Sequence, residues 1–282
     1  VSAPGAIAAL LAASLPAAAL VAAEAAEGQS PPVRVEPSVS VVPANHLKFY
    51  LHFPGPMERG EVFRHLRLAE VDGEGAEIAE VPEPFREVEL WDETFTRLTL
   101  WFHPGRQKPG VNLNVEIGPV LEEGRRYALE ISGKWRRESG EPLGGGVRHR
   151  FAAGPFDGVQ PDPRRWKAEV KEGSLLLLVD EPLDPASLRK SLSVVDAAGA
   201  TVGEIAPARL ELCGSGSGEW AAGYRIELGP LSAGSYRLRI DARLEDLAGN
   251  SVARPFNVDL ERNSGSASEE PVDLPFTLPP GL

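Results

Sequence analysis

The stretches RYALEIS (126–132) and SYRLRID (235–241) decide the fold. In the first, Tyr127, Leu129 and Ile131 alternate with Arg126, Ala128 and Glu130. In the second, Tyr236, Leu238 and Ile240 alternate with Ser235, Arg237 and Arg239. A period of two buries one face of a strand and wets the other, as in an antiparallel sheet.

Each stretch belongs to a longer script that the chain runs twice. The first copy reads LKFYLHFPGPM (47–57), HLRLAEVDGEG (65–75), RYALEIS, SGEPL (139–143) and HRFAAGP (149–155). The second reads LLLLVDEPLD (175–184), SLSVVDAAGA (191–200), SYRLRID, AGNSV (248–252) and RPFNVDL (254–260). Each copy is a strand ending near a Pro, a strand into an Asp/Gly turn, a Tyr-led strand, a Gly turn and a closing strand. Short strands at this spacing predict two tandem immunoglobulin-like antiparallel β-sandwiches, an all-β fold. The 29 Gly and 26 Pro in 282 residues agree with many turns and few helices. Pro185–Ser191 and Glu58–Arg64 are each expected to form a turn or two of helix.

The expected organisation is a signal peptide or N-terminal anchor over 1–30, a diverged first sandwich over 31–155, a second over 156–262 and a disordered tail over 263–282. The apolar run 6–23 (AIAALLAASLPAAALVAA) has the shape of a secretory h-region with cleavage near Ala23 or Ala25. Its rival is an uncleaved anchor, weakened by Ala content and Pro16. Cleavage would leave no membrane span. GPFDGVQPDPRRW (154–166) is a stiff, Pro-rich boundary.

"VDEPLDPASL", "LSVVDAAGATV" and "GPLSAGSYRLRIDARLEDLAGNSV" resemble the bacterial Ig-like domain named for the SbsA surface-layer protein. Glu181, Pro182, Asp184, Pro185, Gly234, Tyr236, Asp246, Gly249 and Asn250 carry the resemblance, over about residues 170–260. In the first copy "WRRESGEPL" stands where "DLAGN" would. The resemblance implies secretion and a structural, adhesive or assembly role at the cell envelope, and it transfers no catalytic residue. The expected location is therefore secreted, periplasmic or cell-surface, with an envelope glycan or protein as partner.

The formal net charge of −12, with no strongly basic segment, disfavours nucleic acid. One cysteine, Cys213, makes neither an intrachain disulfide nor a Cys-based zinc site. Beside Gly214–Gly218 it reads as a thiol at a hairpin tip. The pairs Glu122/Glu123 and Glu169/Glu172 sit at turns and strand surfaces, not across a cleft as glycosidase chemistry needs. Lys134, Arg136 and Arg137 read as a solvated turn rather than an anion site. No catalytic residue, cofactor or metal is expected. Around Asp246 and Asn250, turn chemistry with Gly249 at positive φ is preferred to a calcium site of Asp241, Glu245 and Asp246.

The candidate ligand patch is Tyr50, His52, Trp101 and His103. In 46–53, His46, Lys48, Tyr50 and His52 share one face; in 97–103, Arg97, Thr99, Trp101 and His103 share one. If both faces are outward, their aromatic and imidazole groups offer a sugar- or peptide-binding surface. His52 and His103 could hold a metal, but a third ligand is not evident. The competing reading is ordinary surface or interdomain packing. Leu175–Val179, apolar on both faces, is expected to place Leu176 and Leu178 against the first domain.

Overall fold

The computed structural model describes residues 32–108, 110, 112–205, 210–215, 222–256 and 270–280. Pro31–Leu282 form one compact unit with two hydrophobic cores, one per lobe. The leader-like segment 1–30 lies outside the described residues. Among the described residues no helix is long and apolar enough to cross a membrane.

The first lobe comprises β1 (Arg34–Glu36), β2 (Val41–Pro43), β3 (Lys48–His52), β4 (Leu66–Val71), β5 (Glu77–Glu80), β6 (Arg97–Trp101), α1 (Pro104–Gln107), α2 (Asn112–Ile117), β7 (Arg126–Ile131) and β8 (Val147–Gly154). The second comprises β9 (Lys167–Lys171), β10 (Ser174–Val179), α3 (Pro185–Ser191), β11 (Leu192–Val195), β12 (Thr201–Glu204), β13 (Leu210–Ser215), β14 (Ala222–Ile226), β15 (Gly234–Ile240) and β16 (Val272–Leu278). The sheets run β1-β3-β6 and β2-β8-β7-β4-β5 in the first lobe, β9-β10-β14-β13 and β16-β15-β11-β12 in the second. That is the immunoglobulin-like arrangement: β3 pairs with β1 and β6 while β4 pairs with β7 in the first lobe, and β10 pairs with β9 and β14 while β11 pairs with β15 in the second. Pairing is antiparallel except for β2 beside β8, which is parallel.

The repeat extends to individual turns. Asp72 N–H donates to the Ala76 carbonyl (2.9 Å) and Asp196 N–H to the Ala200 carbonyl (3.0 Å). In each turn the Asp Oδ1 accepts the returning amide, from Ala76 at 2.8 Å and Ala200 at 2.9 Å. An Asx side chain closes its own turn in this way.

The alternation of the Tyr strands holds except at Ala128, which is buried as well. Tyr127, Leu129 and Ile131 are buried, as are Leu238 and Ile240, while Tyr236 is half-buried and stacks on Phe276 at 5.8 Å. The first core joins Phe49 and Leu51 of β3, Leu98 and Leu100 of β6, Leu68, Leu129, Phe151 and Trp135. Trp135 is fully enclosed and its indole N–H donates to the Glu58 carbonyl (3.0 Å).

Three sequence expectations change. The strand that closes the second lobe is β16, not 254–260. It pairs with β15 from Gly234↔Leu278 to Ile240↔Val272. The supposedly disordered tail therefore supplies a strand, because Leu274, Phe276 and Leu278 alternate on its inner face and are buried in the second core. Pro275 lacks an N–H, and β16 accommodates it by lying at the sheet edge. Residues 257–269 lie outside the described residues. Second, Cys213 and Gly214 lie within β13, paired to β14, rather than at a hairpin tip; residues 216–221 lie outside the described residues. Third, the helical turns expected at 185–191 and 58–64 are joined by two more short helices, α1 and α2. α3 forms as expected, started by the Asp184 carboxylate accepting from Ser187 N–H (2.7 Å), with Pro185 at its first position. Within 58–64 the helical turn is a short 3-10 segment, Val62–His65.

Candidate functional site

The seam between the lobes gathers the buried polar groups. Strand register places Lys48 opposite Trp101, Tyr50 opposite Thr99 and His52 opposite Arg97. The two faces read from the sequence are thus one continuous face. It is not open to solvent: the second lobe lies on it. Tyr50 is 4% exposed, and its hydroxyl donates to the Asp184 carboxylate, 3.0 Å from each oxygen. Lys48 Nζ lies 3.5 Å from Asp184 and 2.9 Å from Glu245, and 5.0 Å over the Trp101 ring. Burial opposes the Lys48 charge, but Asp184 and Glu245 more than offset it and raise its pKa. Burial, and then Asp184, raise the Tyr50 pKa.

A second ionic group flanks the first. Arg189 of α3 grips Glu36 of β1 with two nitrogens, at 2.8 and 2.9 Å, and His52 Nε2 meets the same carboxylate at 3.0 Å. Burial works against the Glu36 charge; the bonds from His52 and Arg189 prevail and hold its carboxyl well below the usual range.

Backbone contacts extend the seam. Leu247 belongs to the second lobe's 244–250 turn yet is buried in the first core. Its carbonyl accepts from Leu47 N–H (3.1 Å) and from His46 Nδ1 (3.1 Å). His46 is 1% exposed, and burial keeps it neutral with a pKa of about 3. Asn45 and Asp157 exchange two bonds, Nδ2 to the Asp157 carbonyl (2.7 Å) and Asp157 N–H to Oδ1 (2.8 Å). Gly249 has φ +83, and any side chain there would run into Leu47. Backbone conformation and close packing both require glycine.

Beside this mixed-charge network sits an anionic one. Among the described residues, Asp157, Glu181 and Asp246 bring carboxylate oxygens within 4.8 Å of one another. Asp246 is held by Ala248 N–H (2.8 Å), Asn250 N–H (2.9 Å) and Asn250 Nδ2 (2.8 Å). Burial, with Asp246 and Asp157 nearby, pushes Glu181 up to about 8; burial and Asp157 push Asp246 up to about 7 despite the Asn250 bonds. At neutral pH the trio therefore retains a proton rather than three charges. As ligands the three offer hard oxygens, fewer than the six to eight that calcium takes.

The four patch residues are divided by this geometry. Tyr50 and His52 are committed to Asp184 and Glu36. Trp101 is half-buried under Lys48. His103 caps α1, its Nδ1 accepting from Gly105 N–H (3.2 Å). The seam closes off Tyr50, while His52, Trp101 and His103 stay half-buried, so the four do not share one open surface. The alternative calcium set also disperses: Asp241 pairs with Arg243 and Glu245 with Lys48, while Asp246 turns inward. Leu176 and Leu178 are half-buried; the polar seam contacts come from α3 and the 244–250 turn. Sequence reasoning missed Asp157 in the boundary segment and the role of Glu181. Their shared signal was an acidic residue beside a Pro- or Gly-rich turn, which names a turn but not its neighbour.

No family model and no curated protein matches the chain. Among solved structures, native alpha-2-macroglobulin from Escherichia coli, spanning domains MG0-NIE-MG1, is 12% identical over 87% of this chain and 69% of its own, with TM-score 0.25. Dpr2 Ig1-Ig2 in complex with DIP-Theta Ig1-Ig3 is 10% identical over 89% and 100%, with TM-score 0.21. Superposition this loose carries no argument. The immunoglobulin-like assignment rests on the strand order of the two lobes.

Proposed function

We propose that the chain is a non-catalytic module, exported from the cell, whose two immunoglobulin-like lobes are fixed to each other and serve a structural, adhesive or assembly role at the envelope. The SbsA-type resemblance of 170–260 and the leader-like run 6–23 favour the location. The observation that carries the reading is the seam: Asp184 buried between Tyr50 and Lys48, with Leu247 inserted into the first core. Desolvated ionic contacts of this kind fix orientation more than they add stability. Small-angle scattering tests it. The whole protein is expected to fit one rigid two-lobed envelope, and Asp184→Ala to broaden the distance distribution. Wild type already scattering as two freely hinged lobes would overturn the reading. Export is checked by fractionating cells that express the full gene, where accumulation in the cytoplasm would count against it.

A further inference from the structure

Both lobes build the same corner from the same bonds. In the second lobe Leu183 bridges Asp246, Asp184 N–H donates to the Glu245 carbonyl (2.9 Å), and Asp246 N–H donates to the Asn250 carbonyl (2.9 Å). In the first lobe Met57 bridges Arg137, Glu58 N–H donates to the Arg136 carbonyl (3.0 Å), and Arg137 N–H donates to the Glu141 carbonyl (2.7 Å). Gly140 (φ +86) and Gly249 (φ +83) complete the two turns. Position for position, Glu58 stands where Asp184 does, Arg136 where Glu245 does and Arg137 where Asp246 does.

The second lobe's corner is acidic and is covered by the basic residue Lys48 and by Tyr50. The first lobe's corner has the opposite sign and is uncovered. It surrounds a cavity of about 280 Å³ lined by Met57, Glu58, Arg59, Arg136, Arg137 and Glu138. The Arg137 guanidinium makes no hydrogen bond or ion pair with any described residue, and its Nε is buried without an acceptor. Arg137 as a whole is only half-buried, so its terminal nitrogens, bonded to no described residue, stay open to solvent and to an incoming acceptor. Arg136 donates to the Gly140 carbonyl (2.7 Å), leaving its charge unmatched there. Arg59 lies 3.9 Å over the Phe95 ring and reaches Glu138 at 3.3 Å. Among the residues that line the cavity, three guanidiniums face two carboxylates, one positive charge in excess on a chain whose net charge is −12.

We infer that this corner docks an acidic polypeptide segment and receives one of its carboxylates at Arg137. A single excess positive charge matches a carboxylate rather than a doubly charged phosphate, and the planar fork of Arg matches its two oxygens. The volume lies at the small end for a small-molecule site and suits one side chain. The equivalent corner of the second lobe is itself a protein–protein contact of opposite polarity. The inference deepens the assembly reading and rests on it.

The test titrates the full chain with acetyl-(Glu)4-amide, using acetyl-(Gln)4-amide and acetate as controls. Tryptophan emission reports, since Trp135 is bonded to the Glu58 carbonyl of the corner. Saturable binding of the Glu peptide is expected, weakened tenfold or more by Arg137→Ala, partly restored by Arg137→Lys, and lost in high salt. Arg59→Ala, at an exposed position, is expected to weaken it at least threefold with an unchanged melting curve. Absence of saturation, equal binding by both arginine variants, or acetate binding as tightly as the peptide would overturn the inference. None of these outcomes alters the scattering of the two-lobed chain, so this failure and that of the fixed-lobe reading are distinguishable.

Discussion

Each lobe closes with the next described strand after its Tyr-led one, but the connection is short in the first lobe and long in the second. β8 follows β7 after the single turn region 132–146. β16 follows β15 only after 241–271, past the whole turn that docks onto the first lobe. The place beside the Tyr-led strand, filled in one copy by a nearby strand that β2 then flanks, is filled in the other by a segment further along the chain that forms the sheet edge. The 241–256 region, freed from closing the sandwich, is used to bind the neighbouring lobe. The same fold thus spends equivalent stretches of chain differently: Arg136–Gly140 remain at a surface corner, while Glu245–Gly249 form the seam.

The largest expected effect breaks this contrast directly. Ending the chain before β16 removes Leu274, Phe276 and Leu278 from the second core. At roughly 1.5–3 kcal/mol for each buried large apolar side chain, the loss rivals the whole stability of an ordinary domain, about 5–15 kcal/mol. The second lobe should unfold while the first keeps its dispersed amide resonances. Two-dimensional NMR reads both at once; a truncated chain with both lobes intact would show that β16 is an accessory.

Next comes the pair of equivalent acids. Asp184→Ala leaves the Tyr50 hydroxyl buried without its acceptor, removes one of the two acids that face Lys48, and should cost about 3–5 kcal/mol in denaturant unfolding. Glu58→Ala, at the exposed counterpart, should cost less than about 0.5 kcal/mol. Tyr50→Phe falls between them, at about 1 kcal/mol. Similar costs at 184 and 58 would mean that the seam adds little to what the corner turn already provides.

The strands of both lobes were legible because period-two alternation is a local signal that burial enforces, as at Leu129 and Leu238. The turn chemistry of Asp246, Gly249 and Asn250 was legible for the same reason. The closing strand was not, because RPFNVDL (254–260) and VDLPFTL (272–278) alternate equally well, and only β15 decides which one pairs. The face carrying Tyr50, His52 and Trp101 was assigned correctly, but its exposure was not. Whether a wet face meets water or another lobe depends on groups such as Asp184 and Arg189, more than a hundred residues away. Asp157 and Glu181 escaped notice because a carboxylate trio drawn from separate turns leaves no spacing pattern.

The last expected effect, seen only as a pH-dependent difference, concerns that trio. The folded pKa of Glu181, about 8, lies above its ordinary 4.5. Between those values the folded chain binds the proton that the unfolded chain releases, so stability falls as pH rises from about 4.5 to 8 and then levels off. Asp246, raised to about 7, adds to the same slope. His46 and His149, lowered by burial to about 3 and 4, act in the opposite sense, favouring the fold above pH 6.5 and opposing it as pH falls. The raw curve therefore mixes two trends, and a difference curve separates them. Glu181→Gln mimics the protonated acid, so below pH 4.5 it should unfold as wild type does. Its advantage should grow through neutrality and be largest by pH 8. The first lobe has no such trio at its corner: Gly55 and Arg137 stand where Glu181 and Asp246 do. Arg137→Gln should therefore give a difference curve that is flat across the same range. Equal slopes for the two variants would place the alkaline sensitivity outside the seam.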